Sequence, residues 1–529
     1  MARETNPAKG SEKGRRRSEG RGGGRSGGRA RRPVSQGFAQ PPKRAFEVRF
    51  PPLEVISADE VEAIHDASLT VLEEIGMDFL HPEALSILAA GGAQVELGSE
   101  RVRFDRELVM GLVGKAPSEI RLHARNPAND VVMGGNRMAI CAVASAPNVS
   151  DLDAGRRPGN FADYKKLLHL MSAINAVDLL AGYPVEPIDL PPATRHLDAL
   201  AAFVTLTDKA FHAYSLGRAR ILDGIEIARI ARGIDASTLE REPSVFSIIN
   251  TSSPLRLDGP MIEGMIELGR LNQPVAITPF TLSGAMAPAS IAGALTQQNA
   301  EALAAVAFAQ MIRPGTPVLY GGFTSNVDMK SGAPAFGTPE YAKAVLAGGQ
   351  LARRDGLPYR SSNVNASNCV DAQAAYESQM SLWPVMLAHA NMMMHGLGWL
   401  EGGLVASFEK VMLDAEMIQM MAEFLRPLDL SENAIGLDAI REVGPGGHFF
   451  GAAHTLERYE TAFYPPILSD WRNFESWREA GALDTAQRAN RLYKAVLEEF
   501  EPPPLDPAVA EELESFVERR RREGGAEAA

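Results

Sequence analysis

A carboxylate next to a tryptophan is the first pair of residues in this sequence that could do chemistry. Trp399 and Glu401 lie in the glycine-flanked stretch Gly398 to Gly403, where a backbone or a ligand is able to come close. Such a pair can hold a quaternary ammonium, because the acid compensates its charge and the ring attracts it by a cation–π interaction of roughly 0.5 to 2 kcal/mol. The alternative is that Trp399 packs in the core and Glu401 caps the next helix.

A single histidine on a glycine-rich turn is the second feature. His448 lies in the stretch Gly444 to Phe450, GPGGHFF, whose backbone is able to lie tightly against a ligand. A lone histidine in another setting is usually structural, and both roles stay open here. Asp328, within Ser325 to Gly332, is able to face the same site, and the alternative for it is a local surface pair with Lys330.

Polar and aromatic residues close each of eight apolar runs along the chain. Tyr183 and Phe323 provide rings, and Asn363 and Asn365 provide amides. The set is poor in the clusters of carboxylates and histidines that metallohydrolases use as ligands, so we expect no metal site. The complete set is Asn148, Tyr183, His212, Tyr214, Asn250, Thr251, Thr278, Phe323, Thr324, Asn326, Asn363, Asn365, Trp399 and Glu401.

The elements that position these residues follow a repeating order, in which short apolar runs alternate with segments of helical period. Strands are predicted at 138–146, 177–185, 210–216, 244–251, 275–282, 316–324, 357–365 and 395–403. Helices are predicted at 162–175, 193–207, 221–232, 261–271, 289–312, 339–354, 371–394 and 408–425. Eight such units, without a GxGxxG or GxxxxGK[ST] motif, favour an α/β fold of the (β/α)₈ TIM-barrel type over a doubly wound sheet. The active site of such a barrel lies at the carboxyl ends of its strands.

The flanking segments are additions to this barrel. Residues 46–136 are expected to form an N-terminal helical cap region, in which Ser57 and Glu60 have the spacing of a capping box. Residues 137–430 would form the barrel and residues 431–529 a C-terminal extension that packs on it. The last helix, at 507–522, is highly charged and is expected to be peripheral.

Residues 1–45 differ in composition from the rest of the 529-residue chain. They are rich in Gly and carry 13 Lys and Arg against three Glu, so they cannot bury enough apolar surface and are predicted to be disordered. Such a tail contacts RNA or an acidic partner, or only adds solubility. Nucleic-acid binding is not expected, because no folded nucleic-acid module accompanies the tail and the remaining chain is acidic.

The sequence also gives an expectation for the cellular location of the protein. The arginine runs near the N terminus are not followed by an apolar stretch, so no secretory signal is indicated. No apolar run reaches the length of about 18 residues that a membrane helix needs, and we expect a cytoplasmic protein. Two cysteines, Cys141 and Cys369, argue against a disulfide framework and a thiolate zinc site.

The chain resembles the trimethylamine methyltransferase (MttB-like) family of corrinoid-dependent methyltransferases. The resemblance spans roughly residues 50–500, and the family's fold is the same barrel. The most specific motif is the last of the matching stretches, GPGGHFFGAAHTL. These stretches are Tyr320 to Pro334, Asp371 to Glu377, Gly398 to Gly403 and Gly444 to Leu456.

The resemblance implies a reaction. Trimethylamine-specific members carry pyrrolysine, whereas this chain has only standard residues and so resembles the branch of glycine betaine:corrinoid methyltransferases. It implies transfer of a methyl group from a betaine or another methylated amine to a Co(I) corrinoid. A partner protein would present the corrinoid, and this chain would bind no cofactor tightly. A quaternary substrate leaves as a neutral tertiary amine, so the protein mainly has to provide positioning and electrostatics.

Roles for the candidate residues follow from this reaction, and we also expect a homo-oligomer. Trp399, Phe323 and Tyr183 would form the cation box, with Glu401 as its complementary charge. His448 would orient the substrate carboxylate or meet the corrinoid. Asn363 and Asn365 would supply hydrogen bonds, and Asp328 would help to bind the substrate.

Two alternatives stay open. A barrel lyase or isomerase would act on a small polar metabolite, but its Schiff-base or metal chemistry needs a strand lysine or converging carboxylates, which the eight runs lack. A non-catalytic ligand-binding or RNA-associated barrel would use the basic tail. Deletion of residues 1–45 would abolish function in that second case and would change little in a methyltransferase.

Overall fold

The computed structural model describes residues 38–43 and 45–526, and within them eight parallel strands form a closed barrel. Each strand pairs with the next one along the chain, and the eighth pairs with the first. The predicted (β/α)₈ fold is therefore confirmed. The strands are β1 (Arg137–Ala142), β2 (Leu179–Leu180), β3 (Ala210–His212), β4 (Val245–Thr251), β5 (Val275–Pro279), β6 (Val318–Gly321), β7 (Tyr359–Ser362) and β8 (Met392–Leu397).

A helix follows each strand and packs outside the barrel. Seven of the eight helices have ranges close to the predicted ones. Six of the helices begin with a side-chain oxygen that caps their first turn, as expected for N-cap residues. These residues are Asn160, Asp258, Ser290, Thr338, Asp371 and Ser407. The helices are α1 (Phe161–Ala173), α2 (Arg195–Leu206), α3 (Arg218–Arg232), α4 (Gly259–Arg270), α5 (Ile291–Ile312), α6 (Pro339–Arg354), α7 (Ala372–Leu387) and α8 (Phe408–Phe424).

The seventh helix and the eighth strand differ from the prediction. The helix ends at Leu387 and not at 394, and the strand begins at Met392 and not at 395. Methionine is a good helix former, so the run Met392 to Met394 extended the predicted helix. All three side chains are buried in the barrel, and this burial determines their conformation.

The lower end of the barrel is filled by side chains. Apolar residues that alternate along the strands, such as Cys141, Leu319 and Met392, point to the interior and form one cluster, as in other barrels of this type. The antiparallel strands Glu119–Leu122 and Val131–Gly134 add their buried side chains to the same cluster. Open space therefore lies at the opposite end, where the strands finish.

The N-terminal region packs beside the barrel. Its first long helix, Ala58–Thr70, begins with the predicted capping box between Ser57 and Glu60 and continues as a π-helical turn. The other elements are strands Phe46–Glu47, Met77–Phe79, Gln94–Val95 and Arg101–Arg103, with helices Val71–Ile75, Pro82–Ala90, Arg106–Val113 and Pro127–Asn129.

The predicted disordered tail falls mostly outside the described residues. Its last part is packed, because the Gln40 Nε2 donates to the Ala173 carbonyl at 2.7 Å and its Oε1 accepts from the Asn175 N–H at 2.8 Å. The boundary at residue 45 was therefore set too late. Two amide hydrogen bonds hold a stretch that composition alone assigned to the tail.

Short strands and one helical turn lie in the loops above the barrel. The antiparallel pair Asn148–Asp151 and Gly155–Pro158 continues, through Val405–Ser407, to Trp399–Leu400. This small sheet joins the loops after β1 and β8. The remaining elements of these loops are Arg256–Leu257, Leu282–Ser283, Ser325–Val327, Pro334–Ala335 and the turn Glu401–Gly403, whereas the helix Ala236–Arg241 lies between α3 and β4 at the other end of the barrel.

The C-terminal region contains a packed part and an exposed part. The helix Pro507–Arg522 was predicted to be peripheral, but Leu513, Phe516 and Val517 are buried and Arg520 pairs with Asp223 of α3. Its charges obscured an apolar face in the sequence. The other elements are Glu432–Ile435, Leu437–Val443, Phe449–Gly451, Ala453–Leu456, Phe474–Glu479 and Thr485–Glu498.

Residues 426–474, called the C-terminal segment below, expose many large apolar side chains, among them Leu428, Phe450 and Phe463. No helix in the described part of the chain combines the length and the hydropathy needed to cross a membrane.

Candidate active site

A cavity of about 460 Å³, called the first chamber, opens at the carboxyl ends of the strands. Ala144, Ala181 and Met394 belong both to its wall and to the cluster that fills the barrel, so the chamber rests on the barrel core. Its wall combines rings with a few polar groups, the composition typical of small-molecule sites. The rings and polar groups of this wall include His212, Tyr214, Asn250, Thr278, Phe280, Phe323, Arg360, His395 and Trp399.

Aromatic rings form one side of the first chamber. The Phe323 ring lies 5.1 Å from that of Phe280, 5.5 Å from Phe336 and 6.3 Å from Trp399. The structure thus brings together Phe323 and Trp399, two members of the predicted cation box. The third, Tyr183, does not line this chamber.

Arg360 is the residue that the sequence analysis missed. It lies within β7, is only 2% exposed, and its Nε and Nη1 have no hydrogen-bond partner. Its guanidinium carbon lies 5.6 Å from the centre of the Phe323 ring. Burial lowers the pKa of Arg360 to about 10, so it is still a cation at neutral pH. Within the described residues, Arg360 forms no ion pair with a carboxylate, and it leaves the chamber wall positively charged.

His395 and Trp399 provide two further polar groups of this wall. Their rings lie 4.0 Å apart, and neither the His395 Nδ1 nor the Trp399 Nε1 has a hydrogen-bond partner among the described residues. Burial, with a smaller effect from Arg360, holds the pKa of His395 well below its ordinary value, so the ring is neutral. The register of β8 is irregular here and His395 has a φ of 55°. Such a bulge redirects a side chain and often lies at a functional site.

The turn that carries Trp399 is anchored from behind by a buried ion pair. The Lys410 Nζ lies 2.5 and 2.7 Å from the two oxygens of Asp414, and the Asp414 Oδ2 accepts from the Gly398 N–H at 2.8 Å. Gly398 has a φ of 94°, and a Cβ there would lie 2.7 Å from Val411. The glycine predicted to permit close approach is therefore required by packing inside the protein.

Two strand-end residues are fixed by hydrogen bonds at the border of the first chamber. The His212 Nε2 accepts from the Ile248 N–H at 3.0 Å, and burial lowers the pKa of His212 to about 3. The Tyr214 hydroxyl lies 2.6 Å from the Ser145 Oγ and accepts from the Tyr183 N–H at 3.1 Å. Both side chains are consequently neutral and well positioned.

A second cavity of about 450 Å³, called the second chamber, adjoins the first. The two chambers share Ser145, Tyr214, Asn250 and Met261 as wall residues. The second chamber is also lined by Tyr183, Glu186, Arg195, His196 and Arg220. The structure therefore places Tyr183 beside this chamber, where its ring packs edge-on against Tyr214 at 4.6 Å.

Glu401, predicted to supply a complementary charge, pairs with an arginine outside both chambers. It lines neither chamber, and both of its carboxylate oxygens accept from the Arg156 Nε, at 3.0 and 3.2 Å. Its φ of 51° turns it away from Trp399 after the strand has ended. The structure therefore does not bring Glu401 together with Trp399 in the first chamber, although the prediction placed both residues at the end of one strand.

Asn363 and Asn365 support the backbone and do not line a chamber. The Asn363 Nδ2 donates to the Gly396 carbonyl at 3.0 Å, and the Asn365 Nδ2 donates to the Ser378 Oγ at 3.1 Å. Both are fully buried. The hydrogen bonds that these amides donate go to protein groups, and the predicted hydrogen bonds to substrate stay a prediction.

Asp328 and His448 lie outside both chambers as well. Asp328 accepts from the Ser331 hydroxyl at 2.6 Å in an exposed turn, and this hydrogen bond lowers its pKa. His448 is exposed in the C-terminal segment, 6.2 Å from the Phe450 ring. The glycine-rich turn predicted for His448 is present, but it is not folded over the barrel.

In the described part of the chain, no group of three or more His, Cys, Asp or Glu side chains could hold a metal ion.

Comparisons with known proteins identify the family. Residues 21–525 match the family model described as trimethylamine methyltransferase (MTTB). The chain is 37% identical to a glycine betaine methyltransferase of Desulfitobacterium hafniense (strain Y51), over 90% of this chain and 99% of that protein. It is 30% identical to the trimethylamine methyltransferase MttB of Desulfitobacterium hafniense (strain DSM 10664 / DCB-2), over 89% and 94% of the two chains.

A solved structure is also similar. The monomethylamine methyltransferase MtmB of Methanosarcina barkeri has 12% identity and a TM-score of 0.48, and the match covers 88% of this chain and 89% of that one. The family and the methyltransferase activity predicted from the motifs are confirmed by the sequence matches, and the lyase, isomerase and non-catalytic alternatives are set aside. This chain is a methyltransferase and belongs to the trimethylamine methyltransferase (MTTB) family.

Proposed function

We propose that this enzyme takes a methyl group from a betaine, a quaternary ammonium that also carries a carboxylate, and transfers it to a reduced corrinoid on a partner protein. The observation that carries this proposal is Arg360, a buried cation without a carboxylate partner in an aromatic chamber. The relative named glycine betaine methyltransferase supports the same substrate class.

The charge of the chamber favours a zwitterion. A buried charge without a partner is costly, and Arg360 would repel a simple ammonium ion. A betaine resolves both problems, because its carboxylate can pair with the planar guanidinium while its methyl groups lie against Phe280, Phe323 and Trp399. Arg360 thus selects the carboxylate of the betaine. The sequence analysis had instead predicted that a carboxylate, Glu401, selects its ammonium group.

The residues of the chamber suit a displacement that needs no proton transfer. A reduced corrinoid, when presented by the partner, would supply the electron pair for the new bond to the methyl carbon, and the electrons of the C–N bond would stay on nitrogen. The product is then a neutral tertiary amine. His212 and His395 are neutral, so they can orient the substrate without adding charge. Positioning and the exclusion of water are the main contributions of this chain.

The corrinoid would be presented at the barrel mouth. A corrin ring carries carboxamide groups on its edge, and the mouth offers hydrogen-bonding groups to them in Asn250, His395 and Trp399. No cluster among the described residues would bind a metal by itself. These features fit a partner that brings the corrinoid to the open end of the barrel.

We further propose that the enzyme is a homo-oligomer in which the C-terminal segment lies against a second copy. Phe450, Tyr459, Phe463, Trp471 and Phe474 are all more than half exposed. At roughly 150–250 Å² for a whole aromatic side chain, they offer most of the about 800 Å² that a stable interface buries on each partner. Permanent cover by a second copy suits such a surface better than a corrinoid protein that leaves after each turnover.

The substrate proposal is tested with the purified enzyme and chemically reduced cobalamin. Formation of methylcobalamin is followed by absorbance with three methyl donors: trimethylglycine, tetramethylammonium and trimethylamine. Trimethylglycine is expected to react at least ten times faster than either of the others. Equal rates with tetramethylammonium, which has no carboxylate, would contradict the role of Arg360, and a reaction with trimethylamine alone would contradict the whole proposal.

A further inference from the structure

The second chamber contains a histidine whose hydrogen-bonding direction is fixed. His196 is 5% exposed, and its Nε2 lies 2.8 Å from the Asp223 Oδ2. Asp223 in turn accepts from the Arg520 Nε at 2.6 Å. When the Nε2 carries the proton that is donated to Asp223, the Nδ1 of the uncharged ring has a lone pair that can accept a hydrogen bond. That Nδ1 is buried and has no partner in the described part of the chain.

Arg220 supplies the opposite character in the same chamber. Its Nη2 donates to the Pro192 carbonyl at 3.2 Å, but its Nε is buried without a partner, and no described carboxylate forms an ion pair with it. The neighbouring Arg195 differs, because it pairs with Glu186 at 2.7 Å. The chamber therefore holds one nitrogen acceptor without a donor, the His196 Nδ1, and one cationic side chain, Arg220, whose Nε has no acceptor.

We propose that the second chamber binds a neutral group that both donates and accepts hydrogen bonds, a primary carboxamide or a hydroxyl. Its N–H or O–H would donate to the His196 Nδ1, and its oxygen would accept from Arg220. A carboxylate fits less well, because it has no proton for His196. An ammonium fits less well because Arg220 repels it.

The position of this chamber limits where the group comes from. The two chambers share four wall residues, so a molecule bound in the first can extend into the second. This inference rests on the proposed function, and two sources then carry the required chemistry. One is the side chain of a trimethylated α-amino acid whose ammonium and carboxylate occupy the first chamber, and the other is a carboxamide on the edge of the corrin ring.

A pair of nearly isosteric ligands tests the first source. Trimethylasparagine and trimethylleucine have side chains of similar size, but only the first has a carboxamide. Their dissociation constants are measured calorimetrically with the full-length enzyme and no corrinoid. If the group comes from the substrate, the wild type binds trimethylasparagine at least ten times more tightly. Arg220→Met and His196→Leu each remove this preference, and His196→Gln, which keeps an acceptor, retains part of it.

The second source is tested by binding of free cobalamin, followed by its absorbance. If the group comes from the corrin, Arg220→Met and His196→Leu weaken cobalamin binding about tenfold, and the two betaines bind equally. Arg218→Met is the control, because Arg218 lies on the same turn of α3 but pairs with Glu83 and Glu267 and lines neither chamber. Thermal unfolding verifies that each variant is folded.

The two proposals fail in different ways. If trimethylglycine binds to the wild type but neither variant changes betaine preference or cobalamin affinity, the role of the second chamber is wrong and the proposed reaction stands. If trimethylglycine does not bind to the wild type, the proposed function itself is wrong.

Discussion

The barrel mouth buries a charged side chain, whereas the C-terminal segment exposes large apolar side chains, and both arrangements are the opposite of the usual one. In the mouth, the cationic Arg360 is 2% exposed and has no carboxylate partner, whereas in the segment Leu428, Phe450 and Phe463 are 86, 87 and 85% exposed. Each arrangement is unfavourable in the isolated chain. The charge of the mouth suits a small anionic group, and the exposed rings of the segment suit a protein surface, as proposed above. Substitutions in the two regions should therefore affect different properties.

The largest effect is expected from the buried pair behind the mouth. Asp414→Leu leaves the fully buried Lys410 without its partner and removes the acceptor for the Gly398 N–H. We expect the free energy of unfolding, measured in urea, to fall by about 3–5 kcal/mol. The double variant Lys410→Met/Asp414→Leu should recover much of this loss, and a double variant as unstable as the single one would show that the charge pair is not the cause.

Arg360→Met should separate activity from stability. The variant loses the proposed contact to the carboxylate, so kcat/KM for trimethylglycine is expected to fall by about 2–4 kcal/mol, roughly 30- to 1,000-fold. Its thermal stability should stay the same or increase, because an unpaired buried charge is removed. Arg360→Lys should be intermediate, since it keeps the charge but not the planar geometry. A parallel loss of stability and activity would contradict this division.

The pH dependence of substrate binding gives a smaller effect. Burial lowers the pKa of His212 to about 3 and that of Arg360 to about 10, and the pKa of His395 is also lowered. None of these groups changes its charge between about pH 6 and 9, so the dissociation constant of trimethylglycine should be nearly constant there. Above about pH 10, Arg360 loses its proton and binding should weaken. A tenfold change centred near pH 6.5 would indicate a titrating histidine in the site.

The smallest catalytic effect is expected in the C-terminal segment. Phe450→Ser/Phe463→Ser should change the rate with free cobalamin less than twofold, because neither residue lines a chamber. The sedimentation coefficient should decrease, since the proposed contact between copies is lost. His448→Ala is the matched control in the same segment. A wild-type enzyme that sediments as a monomer at micromolar concentration would contradict the proposed oligomer.

The sequence was sufficient to predict the barrel, because each helix and strand has its own periodicity and most helices have a visible cap. The capping box at Ser57 and the helix at 507–522 match the structure to the residue. Strand ends were less accurate where a run of unbranched apolar residues fits both states, as at Met392 to Met394.

The site was only partly predictable. Phe323 and Trp399 were found because rings at strand ends point into the mouth. Arg360 was missed because an arginine is normally interpreted as a surface residue, and its burial cannot be read from the sequence of β7. Glu401 was misplaced because the bulge in β8 cannot be read from local residue types. Such a bulge depends on pairing with β1, which is distant in sequence.

The strands Glu119–Leu122 and Val131–Gly134 close the lower end of the barrel, and this closure has a kinetic consequence. Under the proposed function, the amine and the methyl acceptor would use the same entrance. An acceptor protein docked at that entrance would cover it, so the amine would have to enter before docking and the demethylated amine would have to leave afterwards. Steady-state kinetics should show a compulsory order, in which the demethylated amine competes with the methylated amine and not with the acceptor.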